Sequence, residues 1–177
     1  MASAFSHPAV PLAIAVAAGR DAVPPRLAVL ACAASVLPDV DALGYWAGVP
    51  YDAPLGHRGF THSLVFAAVL AGCGAAFARR LGASRGTAFA VVLLSAASHG
   101  VLDALTTGGM GVAFFSPFSN SRYFLPWHVI AVSPIGVGRF FSERGVRILR
   151  SELLWIWTPC ALLAAAGAGL RRRLLRA

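Results

Sequence analysis

Lysine is missing from this 177-residue chain, so all 15 basic residues are arginines, and acids are scarce: five aspartates and two glutamates. Charged residues make up only 12% of the sequence against 58% hydrophobic ones, and the mean hydropathy is +0.71. A water-soluble helical bundle needs a polar face on each helix, and segments such as 87–97 (TAFAVVLLSAA) and 160–170 (CALLAAAGAGL) offer almost none. This scarcity of charge argues against a soluble domain and points to the bilayer. The net charge of +8 lies on a chain too apolar to be a nucleic-acid binder, and anchoring at anionic lipid head groups explains it better. Cys32, Cys73 and Cys160 each stand alone in apolar runs without CxxC spacing, which argues against a disulfide framework or a zinc knuckle. The first twenty residues lack the basic start of a signal peptide, so the N-terminus is expected to be retained.

What is present is apolar sequence in helix-sized lengths. A bilayer core of about 30 Å takes about 20 helical residues, and four segments approach this: 27–46, 60–78, 87–107 and 152–170. A shorter apolar helix is predicted over 8–19. The fold class is therefore all-α, a polytopic transmembrane bundle of four to five membrane segments in a single domain, 1–177. Residues 108–134, rich in Gly, Pro, Ser and aromatics, are predicted to be irregular structure lying on the bundle. Residues 139–150 (RFFSERGVRILR) suit a helix in the interface. Trp46, Trp127, Trp155 and Trp157 are expected at the membrane belts.

With alternating spans, nine of the fifteen arginines share one side: Arg20, Arg26, Arg79, Arg80, Arg85, Arg171, Arg172, Arg173 and Arg176. That side is read as cytoplasmic. The same alternation places four groups of His and Asp together on the opposite, extracytoplasmic side: His7; Asp39 and Asp41 in LPDVD; His57 and His62 in GHRGFTHS; His99 and Asp103 in SHGVLD. His99 and Asp103, four apart, share a helical face. Pro38 loosens the helix before the two aspartates, and Gly59 frees the turn between His57 and His62. Asp21, Asp52, Glu143 and Glu152 are read as solvated or interfacial charges, and His128 as an interfacial or hydrogen-bonded residue.

An unpaired Asp at mid-membrane costs about 2.5–3.5 kcal/mol, so several at one depth need a partner. Four imidazoles and three carboxylates (His7, Asp39, Asp41, His57, His62, His99, Asp103) form a mixed N/O ligand set suited to zinc, manganese or iron, and seven ligands suggest two divalent ions. A two-metal site acidifies a bound water and clamps the attacking and leaving oxygens of a phosphoester. Arg58 is expected to grip a phosphate oxygen.

The order of His7, LPDVD, GHRGFTHS and SHGVLDALTTGG followed by FFSPFSNSRYFLPW resembles the YdjM-like family of bacterial inner-membrane proteins, described as LexA-regulated, membrane-bound, metal-dependent hydrolases. The likeness covers residues 5–135 and implies an inner-membrane location with the same seven residues as metal ligands. The HxxxD element is also similar to one in zinc-dependent phospholipase C and P1-type nucleases, in ligand types only. The expected function is hydrolysis of a phosphoester in a lipid or lipid-linked substrate. Asp39, Asp41 and Asp103 then serve as bridge or base, Arg58 and Arg122 stabilise charge, and Ser116, Asn120 and Tyr123 contact the head group. The rival readings are a metal transporter or sensor and a scaffold held by its metal; the Ser- and Thr-only polar content of the cytoplasmic halves of the spans favours an enzyme over a transporter.

Overall fold

The computed structural model describes residues 1–134 and 142–176. Among these residues there is no strand, and eight α-helices follow in order: α1 Ala9–Ala18, α2 Pro25–Val36, α3 Ala42–Trp46, α4 Leu64–Ala76, α5 Ala78–Leu81, α6 Arg85–Ala104, α7 Glu143–Glu152 and α8 Thr158–Leu174. Their limits have local causes. Pro25 opens α2 at a position where no N–H is needed. Ser84 and Ser63 cap α6 and α4, their Oγ atoms accepting from the Thr87 and Phe66 amides.

Helix α6 is the central pillar, with α2 and α4 packed on it, while α1 pairs with α8. Between α2, α4 and α6 lies a core of small and branched side chains, Leu27, Ala31, Ala67, Ala71, Val91 and Val92 among them. A second apolar cluster, including Ala2, Leu102, Ile130 and Ile156, ties the N-terminal segment to α6 and to the last span.

Among the described residues, three helical runs are long and apolar enough to cross a membrane: Pro25–Trp46, Arg85–Ala104 and Glu143–Leu174. The expected span at 60–78 is shorter. Its first residues form a tight 3₁₀ turn, Phe60–His62, and α4 proper has 13 residues, about 20 Å. His62 and Ser63 leave the helix because one enters a polar cluster and the other caps the chain behind it. The expected interfacial helix also differs. Residues 139–141 of that prediction lie outside the described residues; the remainder, α7, runs into α8 through a π-helical turn, Leu153–Trp157. Pro159, which has no N–H, lies two residues past that turn in the first turn of α8, and the wider turn accommodates it without ending the helix.

Residues 108–134 cross one end of the bundle, as predicted for irregular structure, and residues 105–107, expected in the span 87–107, join them because α6 ends at Ala104. Isolated bridges join Thr106 to Ile130 and Val112 to Tyr123. The Ala113 amide donates to the Arg58 carbonyl and the Leu64 amide to that of Phe114, so this segment braces the His/Asp end of the bundle. All four tryptophans are at least partly exposed, and the three cysteines are free thiols.

Candidate metal centre

His99 and Asp103, one turn apart on α6, both point inward and are fully buried. The 3₁₀ turn Leu37–Asp41, formed where Pro38 ends α2, brings Asp39 and Asp41 to the same place. His62 arrives from the turn before α4. Gly59 is needed there for a close approach, because a Cβ on it would lie 2.3 Å from the Pro54 carbonyl oxygen; the positive φ, +65°, falls on Arg58 instead. His7, just ahead of α1, stacks its ring on His99 with centroids 3.7 Å apart and planes 16° from parallel.

The donor atoms converge. Nε2 of His62 and Nε2 of His99 are 3.0 Å apart. Asp39 Oδ1 is 3.4 Å from the His99 nitrogen and 3.8 Å from that of His62, and Asp103 Oδ2 is 3.5 Å from His62. With bonds of about 2.0–2.1 Å, neighbouring donors on a tetrahedral zinc ion sit about 3.3 Å apart, so these four atoms have the spacing of a coordination shell. His7 Nε2 flanks it, 3.9 Å from Asp39 Oδ2 and 3.8 Å from Asp103 Oδ1.

Tautomers sharpen the point. His99 Nδ1 lies 2.7 Å from the Ser35 carbonyl, which can only accept, so that nitrogen carries the proton. His62 Nδ1 faces the Asp41 carboxylate at 3.1 Å and is protonated for the same reason. Two neutral rings so placed aim their Nε2 lone pairs at each other across 3.0 Å, an arrangement that calls for a cation between them. Both Asp39 oxygens and both nitrogens of His7 are buried without a hydrogen-bond partner, although native interiors pair nearly all such atoms. Burial, reinforced by His99, holds His7 down at about 3, neutral and available as a donor.

Asp41 and His57 occupy a different position. His57 Nδ1 is 2.6 Å from Asp41 Oδ1, closer than two donors of one ion approach each other. Asp41 Oδ2 also accepts from the Thr61 hydroxyl at 2.6 Å and the Arg58 amide at 3.1 Å. Asp41 is thus a carboxylate that orients the two imidazoles through their Nδ1 atoms. The expectation of two ions rested on seven ligands being more than one tetrahedral ion needs; the inner four supply one set of donors, and Asp41, His57 and His62 form a second group whose donor atoms lie within 4.8 Å of one another.

The other expected site residues also gain partners. Arg58 is fully buried: its Nε lies 3.0 Å from Asp103 Oδ2, Nη1 donates to the Gly108 carbonyl and Nη2 to Thr106 Oγ1. A guanidinium so enclosed is not presented to a phosphate; it holds Asp103. Arg122 donates to the carbonyls of His57, Tyr51 and Ala53, pinning the loop that carries the histidines. Ser116 is buried and donates to Asn120 Oδ1, and Tyr123 pairs edge-to-face with Phe115; none of the three is among the residues around the ion position.

Glu152, read as a surface charge, is instead fully buried. It accepts from the Ser3 amide and from the hydroxyls of Ser3 and Ser6, and Trp157 donates to Ser6 Oγ. This contact ties the segment bearing His7 to the junction of α7 and α8. The sequence signal was slight: Ser3 and Ser6, three apart, and a glutamate adjoining an apolar run.

No solved structure matches the chain. It is 42% identical over 166 residues, 92% of its own length and 95% of the relative's, to the inner membrane protein YbcI of Escherichia coli strain K12. The family model for the YdjM inner membrane protein matches residues 1–174. The chain belongs to the YdjM inner membrane protein family.

Proposed function

We propose that this inner-membrane protein is a metal-dependent hydrolase that cleaves a phosphoester in a lipid or lipid-linked substrate. The observation that carries the reading is the facing Nε2 pair of His62 and His99, enclosed by Asp103 and by Asp39, whose two oxygens have no hydrogen-bond partner. A divalent ion held by those four residues supplies Lewis acidity and an acidified water at neutral pH. His62 and His99 donate Nε2, each ring fixed from behind by Asp41 or the Ser35 carbonyl. Arg58 fixes Asp103. Asp39 is the most accessible of the inner four and has both oxygens unpaired, so it is the residue placed to accept a proton during hydrolysis. His7 closes the pocket beside it.

The core beneath the cluster favours an enzyme over a transporter, because Leu27, Ala31, Ala34, Val92 and Ala96 offer a crossing ion no ligand. The excess of arginines at the opposite end supports an extracytoplasmic position for the cluster. The test is phosphate release from a panel of phospholipids and lipid-linked phosphates by purified protein, before and after chelation and with zinc, manganese or iron restored. Metal-dependent turnover that Asp39→Asn and a His99→Ala, Asp103→Ala double variant abolish is expected. Turnover retained by the double variant, or no turnover on any phosphoester with metal stoichiometrically bound, overturns the proposal.

A further inference from the structure

At the end of the bundle opposite the His/Asp cluster, α1, α2 and α8 border a cleft of about 460 Å³. Leu12, Val16, Val23 and Ala28 form its apolar wall, and Arg20 and Arg171 stand at its edge. Arg171 is held in place. Its Nη1 donates to the carbonyls of Val16 and Ala17, at 3.3 and 3.2 Å, among the last carbonyls of α1 that have no helical partner. Gly19 makes room for this: its φ is +82°, and a Cβ there would fall 1.8 Å from Arg171 Nη1. Among the described residues no hydrogen bond uses Nε or Nη2 of Arg171, and no carboxylate pairs with it or with Arg20.

Two uncompensated guanidiniums beside an apolar wall, at the ends of membrane helices, have the chemistry of a lipid site. Guanidinium binds phosphate through paired N–H donors, and basic pockets between membrane helices take anionic head groups. Inorganic phosphate would leave the wall uncovered, and a neutral lipid would leave the cations uncompensated. We infer that the cleft binds one anionic glycerophospholipid, its phosphate between Arg20 and Arg171 and an acyl chain along Leu12, Val16, Val23 and Ala28. The site is separate from the metal centre and stands whether or not the protein is a hydrolase.

Delipidated protein in detergent, titrated with phosphatidylglycerol or phosphatidylcholine and followed by native mass spectrometry, tests this. One phosphatidylglycerol is expected to be retained about five-fold more tightly than phosphatidylcholine, roughly the contribution of one arginine at a lipid surface. Arg20→Gln and Arg171→Gln should each erase that preference, whereas Arg144→Gln with Arg147→Gln, on the exposed side of α7, should leave it. Arg20 is exposed and makes no cap, so its variant reports on the site even where Arg171→Gln disturbs α1. Equal affinity for the two lipids, a preference unchanged in Arg20→Gln, or full competition by inorganic phosphate overturns the inference.

Discussion

The rings of His62 and His99 have their outer nitrogens spoken for by a carboxylate and a carbonyl, so each turns a lone pair toward the other. Removing the orienting group should matter almost as much as removing a ligand. Asp41→Asn, read by competition with a chromogenic chelator, is predicted to weaken metal binding about 10- to 100-fold, and His99→Ala to abolish it. Equal affinity in Asp41→Asn and the parent would mean that Asp41 orients nothing. Arg58 supplies the second residue-scale test. It neutralises Asp103 from inside the protein, and a buried carboxylate stripped of its partner costs about 3–5 kcal/mol. Arg58→Met should lower the unfolding temperature in detergent sharply, whereas a guanidinium kept only for substrate would leave stability intact.

Among the elements, the segment before α1 is the least expected. Glu152 gathers three donors from Ser3 and Ser6 and so fixes where His7 can lie. Glu152→Ala leaves those donors unsatisfied, which costs about 1–3 kcal/mol for each buried group; thermal unfolding should drop, and an unchanged midpoint would contradict the contact. Much of the element plan was legible in the sequence. Hydropathy located α2 and α6, the i, i+4 spacing put His99 and Asp103 on one face, and Pro38 marked the break that turns Asp39 inward. Other features depend on tertiary contacts that no local pattern reports. Nothing in GHRGFTHS indicates that Arg58 folds inward with positive φ, because its partners Asp103, Thr106 and Gly108 come from a distant part of the chain. The shortening of α4 follows from His62 joining the cluster, and the continuity of α7 with α8 from a π turn that absorbs Pro159.

For the molecule as a whole, the cluster joins the 3₁₀ turn after α2, the turn before α4, the last turn of α6 and the N-terminal segment, so an ion bound there links four pieces of chain. Binding to the folded state alone stabilises it by about 4 kcal/mol at a free metal concentration a thousand times Kd. Chelation should therefore lower the unfolding midpoint, and restored metal should recover it, in the parent protein and not in His99→Ala. The most direct measurement is the metal content and X-ray absorption spectrum of the purified protein after dialysis against zinc, manganese or iron. The account predicts at least one divalent ion per chain in a shell of nitrogen and oxygen donors with the scattering of two or three imidazoles, lost in the His99→Ala variant. A chain that stays folded yet retains no stoichiometric ion, or one whose ion has the same spectrum without His99, would contradict it.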